Sequence, residues 1–346
     1  MSPLEEDIIY ISDIIRKLRF NDKRFFITGS TGMIGSLLCK SIIKANAIYG
    51  LNNHVVAMVR NIDKAYRVFG TDAIGKDVEL YEGYIEDSLS YSDELDFIIH
   101  TVAETRSSNM VERPVETLWT TISGTKNVLD LAKKKSVEGM VYLSSMEVFG
   151  RVEESAHRFK EEETGWIDLM SVRSSYPESK RMAENMCFCY YKECSVPVVI
   201  ARLAQTFGAG VDESDSRVYS QFAKSAIAGE DIVLQTEGRS FGNYVYTADA
   251  LAAIFMLLSN GERGEVYNIA NEEASMTIRE MAEIVSETIT GGKSKVVFDP
   301  GEDNSKYAQD TKLRLDASKI MKMGWKPRYS IKDMYLRMIE ESKFSR

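Results

Sequence analysis

Tyr176, Lys180 and Ser145 are the residues whose types and spacing describe chemistry, the removal of a proton from an alcohol as hydride leaves its carbon. A phenol titrates near about 10, so a tyrosine acting as a base at neutral pH needs a neighbouring cation. A lysine four residues along a helix lies on the same face, one turn away. In YPESK, Lys180 stands at that spacing from Tyr176. Its ammonium favours the phenolate, and the Ser145 hydroxyl in SSMEVFG can hold the reacting oxygen while the proton moves. Upstream, Thr28-Gly-Ser-Thr-Gly-Met-Ile-Gly35 has the glycine pattern of a dinucleotide-binding turn.

Strands and helices must alternate to bring these groups together. Apolar runs at 23–28 (KRFFIT), 54–59 (HVVAMV), 96–101 (DFIIHT), 139–143 (GMVYL) and 196–201 (VPVVIA) read as strands. Helical stretches lie between them, at 33–47, 115–135 and 177–193. Near-continuous apolar strands alternating with helices predict an α/β fold, a Rossmann-type doubly wound parallel sheet covered on both faces. Ligands of such sheets bind at the carboxyl ends of the strands, where the strand order reverses. After about Thr206 the pattern is mixed: helices at 216–228, 249–258, 276–290 and 331–342, with a short strand at 232–235. The expected division is an N-terminal amphipathic helix (1–22), a dinucleotide-binding domain (23–205 plus 242–262) and a smaller mixed α/β substrate lobe (206–241 plus 263–346).

Composition narrows the class. The 346 residues are 44% hydrophobic and 27% charged, ordinary for a globular protein. The net charge of −9 argues against a general nucleic-acid surface and against docking on anionic lipid. The N-terminal stretch lacks the basic start and unbroken apolar run of a signal peptide, and no run is long enough to span a membrane. Cys39, Cys187, Cys189 and Cys194 lack the paired spacing and histidines of a zinc site and read as reduced packing residues, so no metal is expected. A cytoplasmic location is the corresponding expectation.

The glycine turn follows a strand and opens a helix. Gly29 permits the tight turn, Gly32 lets the backbone approach a pyrophosphate, and Gly35 allows helix to pack on strand. Thr31, Met33 and Ile34 complete the cradle, where the helix N-terminus offers donors and partial positive charge. Arg60 ends the second strand, where an acid would bind the ribose of NAD and an arginine accommodates a 2′-phosphate. Arg60 therefore favours NADP and leaves NAD open. Asp87, in YIEDSL, is a candidate near the adenine or a helix N-terminal residue.

From Arg24 to about Ile339 the chain resembles the extended short-chain dehydrogenase/reductase family of nucleotide-sugar epimerases, dehydratases and decarboxylases. The segments that carry the likeness are TGSTGMIGS, DFIIHTVA, SGTKNVLDLA, VYLSSMEVFG, SSYPESKRMAE, ARLAQTFGAG, GEVYNIAN and GWKP, in the family's order. The resemblance implies a tightly bound NAD(P), with Ala103 beside it, and a nucleotide-diphosphate sugar as substrate. Tyr176 would deprotonate the sugar 4-hydroxyl while hydride passes from C4 to the nicotinamide. Lys180 would lower the tyrosine pKa and bind the nicotinamide ribose, and Ser145 would hold the 4-oxygen. A homodimer would form through helices 115–135 and 177–193.

Ser145-Met146-Glu147 bears on the step after oxidation. In the resemblance, 4,6-dehydratases carry an acid followed by a base here, and a Met146 thioether cannot donate a proton. A hydroxyl residue, a neutral residue and then glutamate is the arrangement in UDP-glucuronate decarboxylases. Loss of the C5 carboxylate, with Glu147 as a catalytic residue, is the leading expectation. A 4-epimerase and a 4,6-dehydratase are the alternatives, and a non-catalytic NAD(P)-sensing binding protein the remote one.

The substrate side departs from the family. Gly242, in GNYVYTAD, stands where an arginine usually grips the diphosphate, and Arg217 or Arg239 is expected to supply that charge. Gln205 replaces an asparagine that contacts the phosphate, and Thr121 an asparagine that helps fix the catalytic helix. After strand DFIIH, Glu104 is expected to bind hydroxyls and Arg106 to recognise a carboxylate, or the two to pair at the rim.

Overall fold

The computed structural model describes residues 1–104, 107–152, 157–300 and 310–344. The strands of the first half are β1 (Arg24–Thr28), β2 (His54–Val59), β3 (Val78–Glu82), β4 (Phe97–His100), β5 (Gly139–Ser145) and β6 (Val198–Leu203). Then come β7 (Gln205–Phe207), β8 (Ile232–Leu234), β9 (Phe241–Tyr246), β10 (Val266–Ile269), β11 (Asn271–Thr277) and β12 (Val296–Phe298). The first helices are α1 (Pro3–Lys17), α2 (Met33–Tyr49), α3 (Ile62–Phe69), α4 (Ser107–Glu112), α5 (Pro114–Lys135) and α6 (Ser175–Cys194). They are followed by α7 (Val218–Ala228), α8 (Thr247–Asn260), α9 (Ile278–Ile284), α10 (Ser318–Lys322) and α11 (Ile331–Phe344).

Seven strands form a parallel sheet in the order β3-β2-β1-β4-β5-β6-β10. Its central strands are buried on both faces, as their unbroken apolar sequences require. The order reverses between β1 and β4, which opens the crevice at their carboxyl ends. There the Thr28 hydroxyl lies 2.8 Å from His100 Nδ1 and accepts the Thr101 amide at 3.0 Å. Burial and the Lys180 charge push His100 down to about 3, so it is a neutral part of this seam.

The second half builds a three-stranded sheet, β11-β9-β7, and a parallel pair, β12-β8. Two placements differ from the sequence division. Strand β10 extends the large sheet although it lies in the stretch 263–346, and β9 pairs outside the large sheet although it lies in 242–262. The helix expected over 276–290 starts only at Ile278, because β11 runs to Thr277 and Thr277 with Glu280 forms a capping box. Past Ile284 it widens into a π turn.

The N-terminal helix is part of the fold. Ser2 caps α1, Pro3 opens it, and Ile11 and Ile15 bury against the rest of the core. Asp7 accepts hydrogen bonds from Tyr246 (2.6 Å) and Arg337 (2.8 Å), which ties α1 to β9 and α11. No described helix is long and apolar enough to cross a membrane.

Candidate active site

The glycine turn has the shape a pyrophosphate needs. Gly29 sits at φ +64°, and a Cβ there would stand 2.6 Å from the Thr101 hydroxyl. A Cβ on Gly35 would collide with the Gly29 carbonyl, so α2 lies closer to the turn than any other residue allows. Gly32 is the N-cap of α2 and has no side chain to occupy the first amides. The residues therefore fit a dinucleotide, with Thr31, Met33 and Ile34 along the same turn. Arg60 is exposed at the end of β2, beside Asn61, which caps α3. Asp87 is exposed in the loop after β3, and its carbonyl accepts from Asn127 at 2.9 Å. Ala103 is half-buried just past β4.

Ser145 ends β5, and Tyr176 and Lys180 lie one turn apart near the start of α6, which packs against that strand. The Ser145 side chain favours the ionised form of the Tyr176 phenol. Burial and the Glu147 charge push the phenol up, while Ser145, Arg173 and Arg217 hold it down. Arg173 and Arg217 favour the ionised phenol, and the Lys180 ammonium, 6.0 Å from the Tyr176 ring centroid, donates to the Leu143 carbonyl at 2.7 Å and sits 4.7 Å from the Tyr142 ring centroid. Burial pushes Lys180 down to about 8, so it is still largely protonated at neutral pH and faces the end of β5.

Glu147 lies on a short 3-10 turn, Met146–Phe149, whose entry is fixed by the Ser145 hydroxyl accepting the Glu147 amide at 3.2 Å. Both its oxygens accept from Nη2 of Arg173, at 2.8 and 3.0 Å. Sequence reading missed Arg173. The signal it offered was an arginine three residues before Tyr176, which the 3-10 turn Val172–Ser174 delivers to the start of α6.

On the substrate side Arg217, the N-cap of α7, pairs with Asp215, and its charge reaches Tyr176. Arg239 is exposed and pairs with Glu237. Of the two arginines expected to replace the one absent at 242, Arg217 is the one whose charge reaches Tyr176. Gly242 is occupied by a neighbour: a Cβ there would run into the Tyr244 ring. Gln205 is half-buried on β7, opposite Tyr244. Glu104 accepts from Asn109 at 2.9 Å, and Arg106 lies outside the described residues. Thr121 turns its hydroxyl onto the Thr117 carbonyl of its own helix, 3.0 Å away, so it does not brace α6 as the asparagine would.

Comparison with known proteins agrees with this geometry. The chain is 29% identical over 306 residues to UDP-glucuronic acid decarboxylase 1 of Danio rerio, covering 88% of this chain and 69% of the relative. An epimerase of Methanothermobacter thermautotrophicus superposes with a TM-score of 0.80 at 21% identity, covering 96% of each chain. A UDP-glucuronic acid 4-epimerase of Bacillus cereus, solved with UDP-glucuronic acid and NAD, superposes with a TM-score of 0.75 at 19% identity, covering 93% of this chain and 100% of that one. Residues 25–270, from the first strand of the large sheet to just past its edge strand β10, match the NAD dependent epimerase/dehydratase family, and the chain belongs to that family.

Proposed function

We propose that this protein is a nucleotide-sugar decarboxylase that oxidises the sugar at C4 with a bound nicotinamide dinucleotide, acting on UDP-glucuronate or a close analogue. The observation that carries this reading is the Glu147 carboxylate fixed beside Tyr176 and Ser145, with a thioether where a dehydratase needs an acid. The similarity to a UDP-glucuronic acid decarboxylase supports it.

The glycine turn, Arg60, Asp87, Ala103, Tyr176 and Lys180 are the residues that would hold the cofactor. When bound, the cofactor accepts a hydride and later returns it. Ser145 holds the sugar 4-oxygen, and Tyr176 takes the hydroxyl proton. In the resulting 4-keto sugar, the electron pair of the C5–carboxylate bond flows into the ketone as carbon dioxide leaves. The enolate takes a proton from water at C5, and Tyr176 returns its own proton to the C4 oxygen as C4 is reduced. Glu147 faces the departing carboxylate, where like charge disfavours the bound acid relative to neutral carbon dioxide. Arg217 supplies the charge for the diphosphate.

Arg60 favours NADP, and tight retention of the cofactor suits a hydride that leaves and returns in one site. The large sheet carries the cofactor and the C-terminal sheets carry the sugar nucleotide. Exposed Val115, Trp119, Met182 and Phe188 on α5 and α6 support a homodimer through these helices. A cytoplasmic location fits an acidic chain with unpaired cysteines.

Incubation with UDP-glucuronate, UDP-glucose and their dTDP, CDP and GDP analogues tests the reading. Release of carbon dioxide supports decarboxylation. A mass-neutral product assigns the protein as a 4-epimerase instead, and no turnover or binding of any of them overturns both.

A further inference from the structure

Arg173 bridges the two short turns that flank the catalytic helix. Glu147 comes from the turn after β5, and Arg173 from the turn that runs directly into α6. The latter is anchored by the Ser174 hydroxyl on the Asp168 carbonyl at 2.6 Å and by the Ser174 amide on Ser171 at 3.0 Å. The Arg173 guanidinium lies 6.0 Å from the Tyr176 ring centroid while its Nη2 holds both Glu147 oxygens. Its Nη1 is buried and has no hydrogen-bond partner among the described residues, so the guanidinium is not saturated as a purely structural clamp would be.

We propose that Arg173 is a positioning residue for the reaction, the cation that holds Glu147 in place and cancels its charge beside Tyr176. The proposal rests on the C4-oxidising reading above. The charged groups facing Tyr176 are Glu147 and Arg173 from the two turns, Arg217 with Asp215 from the start of α7, and Lys180 from its own helix. Tyr142 faces it from β5. Without Arg173, the Glu147 carboxylate would favour the protonated form of Tyr176. The Arg173–Glu147 pair makes the site electrically neutral at that edge and leaves the tyrosine to respond to the cations that remain.

The test needs no knowledge of the sugar. The NAD-loaded protein is titrated between about pH 6 and about pH 11, and tyrosinate absorbance is read as the difference from the loaded Tyr176→Phe protein. Arg173→Gln should raise the Tyr176 midpoint by about one pH unit or more, and Arg173→Lys should recover most of that rise. The double variant Arg173→Gln/Glu147→Gln, which restores neutrality without the ion pair, should return the midpoint to near the starting value. An unchanged midpoint in Arg173→Gln, or a rise that removing Glu147 does not reverse, overturns the proposal. Where burial and Glu147 hold the starting midpoint above that range, Glu147→Gln should bring it down, and a midpoint out of range in both proteins overturns the proposal. Failure of every sugar nucleotide to turn over would leave these midpoints readable, and so would count against the proposed reaction alone.

Discussion

The Arg202–Glu184 and Arg173–Glu147 pairs, one joining β6 to α6 and the other joining the two short turns beside α6, are built differently. Arg202 of β6 uses every arm: Nε and Nη2 reach Glu184 at 2.9 and 2.7 Å, and Nη1 reaches the Glu161 carbonyl at 2.8 Å. Both side chains of that pair are under a tenth exposed. Arg173 uses one nitrogen for Glu147, keeps Nη1 unpaired among the described residues, and stays about one-third exposed. Saturation with burial marks a pair that holds sheet to helix. An unsaturated pair at a crevice, beside a tyrosine whose charge it alters, marks one that serves chemistry. On the proposal above the same two residue types do two jobs, which burial and the remaining hydrogen-bond capacity distinguish.

The comparison can be broken at its structural end first. Arg202→Met strands the buried Glu184 and should cost about 3–5 kcal/mol in denaturant unfolding. Arg173→Gln at the half-exposed pair should cost no more than about 1 kcal/mol by the same measurement. Equal losses would erase the distinction.

Next comes Lys180→Met, which removes a cation that burial has already made costly to keep. Turnover should fall by about 10²- to 10⁴-fold, while the melting temperature holds or rises. A variant that loses stability and keeps activity would make Lys180 a packing residue.

Arg217→Ala should raise the KM for the sugar nucleotide by about tenfold, roughly 1.4 kcal/mol, with a smaller fall in kcat. Arg239→Ala, exposed and already paired with Glu237, should change neither. A reversal of that order would move the diphosphate to the other arginine.

The smallest expected effect lies at the dock of α1. Burial pushes Asp249 up to about 7, above its value of 3.8 in an unfolded chain. The folded state therefore binds the proton more tightly, and the associated stability is full below about pH 4 and lost as pH rises through about 7. Asp249→Asn, which keeps an acceptor for the Arg328 amide, should flatten the pH dependence of unfolding between about pH 4 and about pH 7 by on the order of 1 kcal/mol. An unaltered slope would show that Asp249 does not titrate there.

Much of the cofactor end was legible in the sequence, and the reason is local. Gly29, Gly32 and Gly35 answer to backbone contacts within a few residues, and the apolar runs of β1, β2, β4, β5 and β6 declare buried parallel strands. Short β3, with two of its five residues exposed, carries no such run, and β10 and β11 owe their places to distant partners. The substrate end was less legible because its contacts join remote segments. Nothing near Arg217 in the chain says that it faces Tyr176, and nothing in VRSSY says that Arg173 reaches Glu147. The Gly242 backbone was visible as a departure, but its cause is the Tyr244 ring folded over it.

The central claim is that hydride leaves and returns at C4 while a carboxylate is lost between the two events. UDP-glucuronate carrying deuterium at C4 tests both halves at once. The account predicts a UDP-pentose that keeps deuterium at C4, with carbon dioxide released, and no such product from Tyr176→Phe. A product of unchanged mass, or a pentose whose C4 has lost its deuterium to solvent, would contradict it.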